Sequence, residues 1–181
     1  MRSLQTTWKQ WLVLHPDTLV LNKRAFYQFD SYEQYYVDGS AGILGEANWD
    51  DRVLRKELVL GVNLDGQAKS YSFKAIADQK VINDTFARRE VVVTFKPNQE
   101  TGAIFSWVVD GRTLTFRDSR VNSLGIMLIQ DQETESTWQA ITSQAISGPM
   151  AWKTLQRLPS QCSFWFAWSD LHTETELFEP G

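Results

Sequence analysis

Residues 58–73 read LVLGVNLDGQAKSYSF. Two strand-like runs flank Asp65-Gly66, a dipeptide whose backbone takes the left-handed angles that a tight two-residue hairpin turn requires. An antiparallel pair is the expected outcome, and the same pattern recurs downstream. REVVVTF (89–95), AIFSWVV (103–109) and RTLTFRD (112–118) are strand-like, and Asp110-Gly111 joins the last two as a second hairpin signal. Lys74–Gln79 reads as one helical turn, Asn83-Asp84-Thr85 as a polar turn, and Ser147-Gly148-Pro149 as another. IMLIQ (126–130) is a further β-rich apolar run leading into the polar DQETESTWQAI. The spacing predicts a mainly β (α+β) protein of about eight to ten short strands. An antiparallel sheet, barrel-like or sandwich, with short helices is the architecture that fits.

The two ends of the chain carry one motif. Residues 6–22, TTWKQWLVLHPDTLVLN, reappear 157 positions later as residues 163–179, SFWFAWSDLHTETELFE. Trp8 aligns with Trp165, Trp11 with Trp168, Leu14 with Leu171, His15 with His172 and Thr18 with Thr175. Trp and His are rare residue types, so the match argues for duplication over accident. Thr6 or Thr7 suits the N-cap of a short amphipathic helix, Pro16 helps to end it, and Leu19-Val20-Leu21 reads as a short strand. The second copy reads alike, a helix and then a strand at Glu176–Phe178. Each copy is expected to plug the sheet with its Trp pair. Three segments follow: 1–22, equivalent to the end of a preceding repeat; 23–57, an aromatic, irregular arm; and 58–181, the β-rich core. Together they are expected to form one compact unit, a piece cut or shortened from a duplicated parent.

Composition narrows the function classes. Of 181 residues, 43% are hydrophobic and 22% charged, values that suit one folded domain. Eight tryptophans imply a Trp-rich core, an aromatic binding surface, or both. The net charge of −4 gives no general attraction to phosphate backbones, so no nucleic-acid partner is expected. One cysteine, Cys162, excludes an internal disulfide, and it reads as a buried thiol. No apolar run approaches the length of a membrane span, and the N-terminus is a poor signal peptide.

The order of VLGVNLDGQAKSYSF, VINDT, VVVTF, VDGRTLTF, DQETESTWQ, AISGPMAWKTLQRLPS and FWFAWSDLHTETEL resembles the bacterial and archaeal "domain of unknown function 3179" family. The resemblance covers residues 6–22 and roughly 56–179, with a further echo in RAFYQFDSYEQYY. It implies that longer members carry two related copies, a segment like residues 6–22 closing the first, and that relatives are often exported. Many members place Tyr-Cys-Pro-Leu-Cys where this chain has Phe95-Lys96-Pro97-Asn98-Gln99. With Lys96 and Gln99 at the two cysteine positions, thiol or metal chemistry of a Cys-x-x-Cys pair is lost there.

The remaining candidates are weak as chemistry. His15 and His172 could be catalytic or metal ligands, but a matched pair at two helix ends reads better as helix-end anchors. Asp131, Glu133 and Glu135 would share one face of an extended strand and could hold a divalent cation or do acid–base work with Asn83, Asp84 and His172. Against this, the segment also reads as a solvated turn. Tyr27, Tyr32, Tyr35, Tyr36 and Trp49 of the arm either form a partner surface or glue the arm down. The reading that results is a non-catalytic binding or structural module contacting a protein partner, with no cofactor. The competing reading is a metal-binding protein or hydrolase-like enzyme built on Asp131–Glu135.

Overall fold

The opening hairpin forms as its sequence dictates. In the computed structural model, which describes residues 4–22, 32–42 and 44–180, strand β1 (Leu58–Leu64) pairs antiparallel with β2 (Gln67–Ser72). Asp65 and Gly66 turn between them at φ 53° and 86°. Next come β3 (Val81–Phe86) and β4 (Arg89–Lys96), paired from Val81↔Thr94 to Phe86↔Arg89. Their turn is Ala87-Arg88, at φ 50° and 57°. Asn83-Asp84-Thr85, expected as a turn, therefore lies within a strand. The reversal falls just beyond it, on two residues without a glycine to announce it.

A 3-10 turn at Pro97–Gln99 leads to β5 (Thr101–Ser106), which pairs with β4. The run expected as one strand over 103–109 breaks at Trp107. Beyond the break β6 (Val108–Val109) and β7 (Arg112–Thr113) make a short ribbon across Asp110-Gly111. The chain continues through β8 (Phe116–Val121), β9 (Met127–Asp131), β10 (Thr137–Gln139), β11 (Ala145–Ser147), β12 (Ser160–Phe164) and β13 (Glu176–Leu177). Short helices are α1 (Trp8–Leu14), α2 (Glu33–Val37) within the arm, and α3 (Trp165–Leu171).

Three open sheets pack in a sandwich-like arrangement, and among the described residues none closes into a barrel. Their strand orders are β12-β1-β2-β13, β3-β4-β5 and β11-β10-β9-β8. The middle sheet explains the unbroken valine run of β4. Side chains alternate across a strand, so Val91 and Val93 enter one core with Leu60, Val62 and Tyr71. Val92 points the other way, into a second core with Phe105, Ile129 and Trp138. Both faces of this sheet are buried. A third cluster, Val59, Ala68, Trp165 and Trp168, seals the outer face of the first sheet beneath α3. From α3 the chain runs into β13, which adds to β2 in parallel, Glu176 opposite Lys69 and Leu177 opposite Ser70.

Candidate functional site

The two Trp–Trp–His segments share one local geometry. Thr7 caps α1, its Oγ1 accepting the Gln10 N–H, and Phe164 stands in the matching place before α3. His15 and His172 close the helices with nearly equal backbone angles, φ −137° and −133°, each N–H donating to the tryptophan carbonyl four residues back. Each imidazole lies against that tryptophan, with ring centroids 4.3 Å apart for Trp11–His15 and 4.2 Å for Trp168–His172. The indole N–H then donates across the turn, Trp11 to Thr18 Oγ1 at 2.8 Å and Trp168 to Thr175 Oγ1 at 2.9 Å. Trp, His and Thr thus form a clip that fixes the exit from the helix.

Surroundings separate the two clips. Trp165 is fully buried and Trp168 nearly so, with the Trp168 ring lying on Gly61 of β1. A Cβ on Gly61 would stand 2.4–2.5 Å from three ring atoms, so only glycine leaves room for the indole. In the first copy Trp8 is 50% exposed, and Leu19, Val20 and Leu21 are exposed and form no strand. The expectation that both copies plug the chain's own sheet is therefore corrected for the first. The seat over Gly61 admits a single indole, and Trp168 occupies it.

Beside α3 lies a cleft of about 1020 Å³ that the arm helps to line. Tyr35 and Tyr36 of α2 wall it on one side, Phe164 and Phe166 on another, with Cys162 contributed by β12 and Gln5 by the N-terminal segment. Tyr35 and Tyr36 each meet Phe164 edge-on at 6.3 Å, and Phe164 stacks with Phe166 at 6.1 Å. Lys56 holds this wall in place. Its Nζ lies 3.8 Å from the Tyr35 ring centroid, donates to the Tyr35 carbonyl, and pairs with Asp38 at 2.7 Å. The Lys56 hydrogen bond, aided by Ser40, draws the Asp38 carboxyl down to about 2. Burial, aided by the negative charge of Glu100, pushes the Cys162 thiol up to about 12, so the thiol is neutral at pH 7 and a weak nucleophile.

The arm's aromatic residues divide by exposure. Tyr35 is half-buried, whereas Tyr32, Tyr36 and Trp49 are 67%, 65% and 64% exposed. Tyr27 lies outside the described residues. Trp49 carries the Arg55 guanidinium 3.8 Å from its ring centroid and borders a second cleft with Tyr36, of about 480 Å³. The arm is tied to α3 by Asp170, which accepts the Ala47 and Asn48 N–H groups at 2.8 and 2.7 Å.

The acidic candidates have other occupations. Asp131 is fully buried and accepts the Thr134 N–H at 2.6 Å, the Thr134 hydroxyl at 2.7 Å and the Trp138 indole N–H at 2.7 Å. Glu133 accepts the Thr115 N–H at 2.7 Å, and Glu135 sits at φ 57° in the turn after β9. The three acids are thus distributed over a strand end and a turn and do not share one strand face. Asn83 bonds both the N–H and the carbonyl of Phe116, linking β3 to β8 as a strand neighbour would. Asp84 accepts Tyr71 Oη and Lys69 Nζ, each at 2.7 Å. His172 stays in its clip. Among the described residues no group of three His, Cys, Asp or Glu side chains could hold a metal ion.

Two polar arrangements are absent from the sequence reading. Lys69 is buried between Asp84 and the rings of Tyr71, Phe86 and Phe178, and Tyr71 is held protonated by burial and by Asp84. The period-2 alternation of QAKSYS places Lys69 and Tyr71 on one face, the signal that could have found them. At one of the two positions where the resemblance implies a cysteine, Lys96 is buried and donates to the Gly125 carbonyl, while burial lowers its pKa. Gln99 carries a buried Oε1 that lacks a hydrogen-bond partner among the described residues.

No helix among the described residues is long and apolar enough to cross a membrane. No curated protein and no solved structure matches the chain. A family model described as "Protein of unknown function (DUF3179)" matches residues 1–179. Its span takes in both clips, the arm and all three sheets, and the chain belongs to this family.

Proposed function

We propose that the protein is a non-catalytic binding module that holds a segment of a partner protein against the aromatic wall between the arm and α3. The observation that carries this reading is the placement of exposed Tyr36 beside Phe164 and Phe166 at an open cleft of about 1020 Å³. Tyr and Trp supply much of the contact energy at protein interfaces because they bury large area with few rotatable bonds. Exposed Tyr32, Val37, Trp49 and Leu54 extend the apolar surface beyond the cleft. Lys74 and Glu100, exposed at its margin, offer one charge of each sign to a polypeptide. The competing metal or hydrolytic reading around Asp131–Glu135 has less support, since Asp131 and Glu133 are committed to Thr134, Trp138 and Thr115.

The test compares wild-type chain with Tyr36→Ala and Phe166→Ala as bait in cell extract, read by quantitative mass spectrometry. One protein retained by wild type and reduced about tenfold or more by both variants, at unchanged thermal midpoints, is expected for a hot spot worth about 1.4 kcal/mol or more. Equal retention by all three baits would remove the cleft from the function. We further infer that the two clip segments arose by duplication, which their shared hydrogen bonds support.

A further inference from the structure

Among the described residues, β12 leaves one edge of the first sheet uncovered. Antiparallel strands alternate between residues that bond across the pair and residues whose backbone groups point away from it. The Trp165 N–H donates to the Glu57 carbonyl at 2.9 Å, which fixes the phase: Val59 bonds Ser163, and Gly61 bonds Gln161. The Phe73 N–H donates to the Leu58 carbonyl at 2.9 Å and agrees with this, since it turns Leu58 and Leu60 toward β2. Both backbone groups of Cys162 and the N–H of Phe164 therefore point outward from β12. Among the described residues no backbone partner reaches them. Cys162, Ser163 and Phe164 all line the cleft beside α3. Side chains alternate across a strand, so a cleft that touches three consecutive residues runs along the strand's edge. The other edges are closed or guarded. β5 bonds the chain at Gln156 and Leu158, β11 bonds it at Lys153, and Asn83 bridges β3 to β8. β13 is two residues long and carries Glu176. An exposed edge invites pairing unless charge, proline or shortness blocks it, and SQCSF of β12 has neither a charge nor a proline.

We propose that the partner segment held in this cleft is an extended strand that adds to β12 at Cys162–Phe164, giving the four-stranded first sheet one strand more. This rests on the cleft being a protein-binding site. Backbone bonds to Cys162 set the register, and alternate side chains of the segment meet Phe164 and Phe166. The segment therefore has no proline at the paired positions and is apolar where it meets those rings. It also projects from its own fold. β12 lies recessed between Tyr35 and Tyr36 on one side and Phe166 on the other, so the equally recessed β12 of a second copy cannot reach it.

The probe is a phage-displayed library of random linear peptides, selected on the full chain, with the selected peptides synthesised and titrated. Affinity is expected to fall about tenfold or more with Tyr36→Ala, with Cys162→Pro, and with N-methylation of every second residue along the paired stretch of the peptide. N-methyl groups at the intervening residues, and Cys162→Ser, should leave affinity within about twofold. Cys162→Pro is expected to keep the fold because its N–H lies outside the ladder, whereas Ser163→Pro removes a ladder bond and lowers the thermal midpoint. The N-methyl scan reads the pairing without altering the protein, so it decides the matter if Cys162→Pro does not fold. Binders that need Tyr36 but show no alternation overturn strand addition and leave the cleft reading standing. A library with no Tyr36-dependent binder overturns both. A dimer of the chain alone that Cys162→Pro dissolves makes a second copy the occupant and overturns the proposal as well.

Discussion

Gly61 shows how much one absent atom decides. It lies in regular β1, and nothing in LVLGVNL distinguishes it from a weak point in a strand. Its role appears only when Trp168 is seen lying on its Cα, where an added Cβ would come within 2.5 Å of the ring. Gly61→Ala is expected to cost about 2–3 kcal/mol by overpacking, measured as a lowered denaturant midpoint at unchanged slope. A cost below about 0.5 kcal/mol would mean that the indole moves aside freely. Asp131 makes the opposite point. Its carboxylate looked like chemistry in the sequence, yet it is the buried partner that the Trp138 indole needs. Sequence pattern records that an acid is present; burial and hydrogen-bond partners decide what it does.

Among elements, the two clips form a matched experiment within one molecule. Trp168→Ala removes a buried indole, opens a cavity over Gly61 and leaves Thr175 Oγ1 without its donor, so a loss of about 3–5 kcal/mol is expected. Trp11→Ala removes the equivalent side chain from a helix that seals no sheet of its own, and the change should stay within about 1 kcal/mol. Thermal and denaturant unfolding of the two variants checks the difference; equal losses would show that α1 is docked as tightly as α3. The helices and their C-terminal histidines were legible from the spacing Trp-x-x-Trp-x-x-x-His, because capping and turn chemistry are local. The strand expected at Leu19–Leu21 failed for a non-local reason: a strand needs an edge to bond, and β2 already has β13.

For the whole molecule, the middle sheet is the common wall of two cores. Perturbing one face of β4 should therefore be felt through the backbone on the other. Unfolding is expected to be a single cooperative transition, with Trp fluorescence, near-ultraviolet dichroism and far-ultraviolet dichroism coinciding. Separate transitions would show that the outer sheets unfold independently. The β-rich class and both Asp-Gly hairpins were readable because alternation and turn residues act within a few positions. The β3–β4 reversal was not, since Ala87 and Arg88 carry no turn signature and are held at positive φ by the pairing on either side.

LVLGVNLDGQAKSYSF determined by itself that the chain reverses at Asp65-Gly66 and that two strands pair. The Trp–Trp–His spacing likewise determined two helix ends of one design. These are consequences of φ preference, side-chain alternation and capping, all settled within a few residues. Tertiary structure alone decided that β4 is covered on both faces and that the acids serve turns and tryptophans. It also decided that Tyr35 and Tyr36 border an open cleft, and that of two clips one is seated and one is not. Each of those outcomes depends on which surfaces meet and on a seat being filled once, a constraint of excluded volume between residues more than a hundred positions apart.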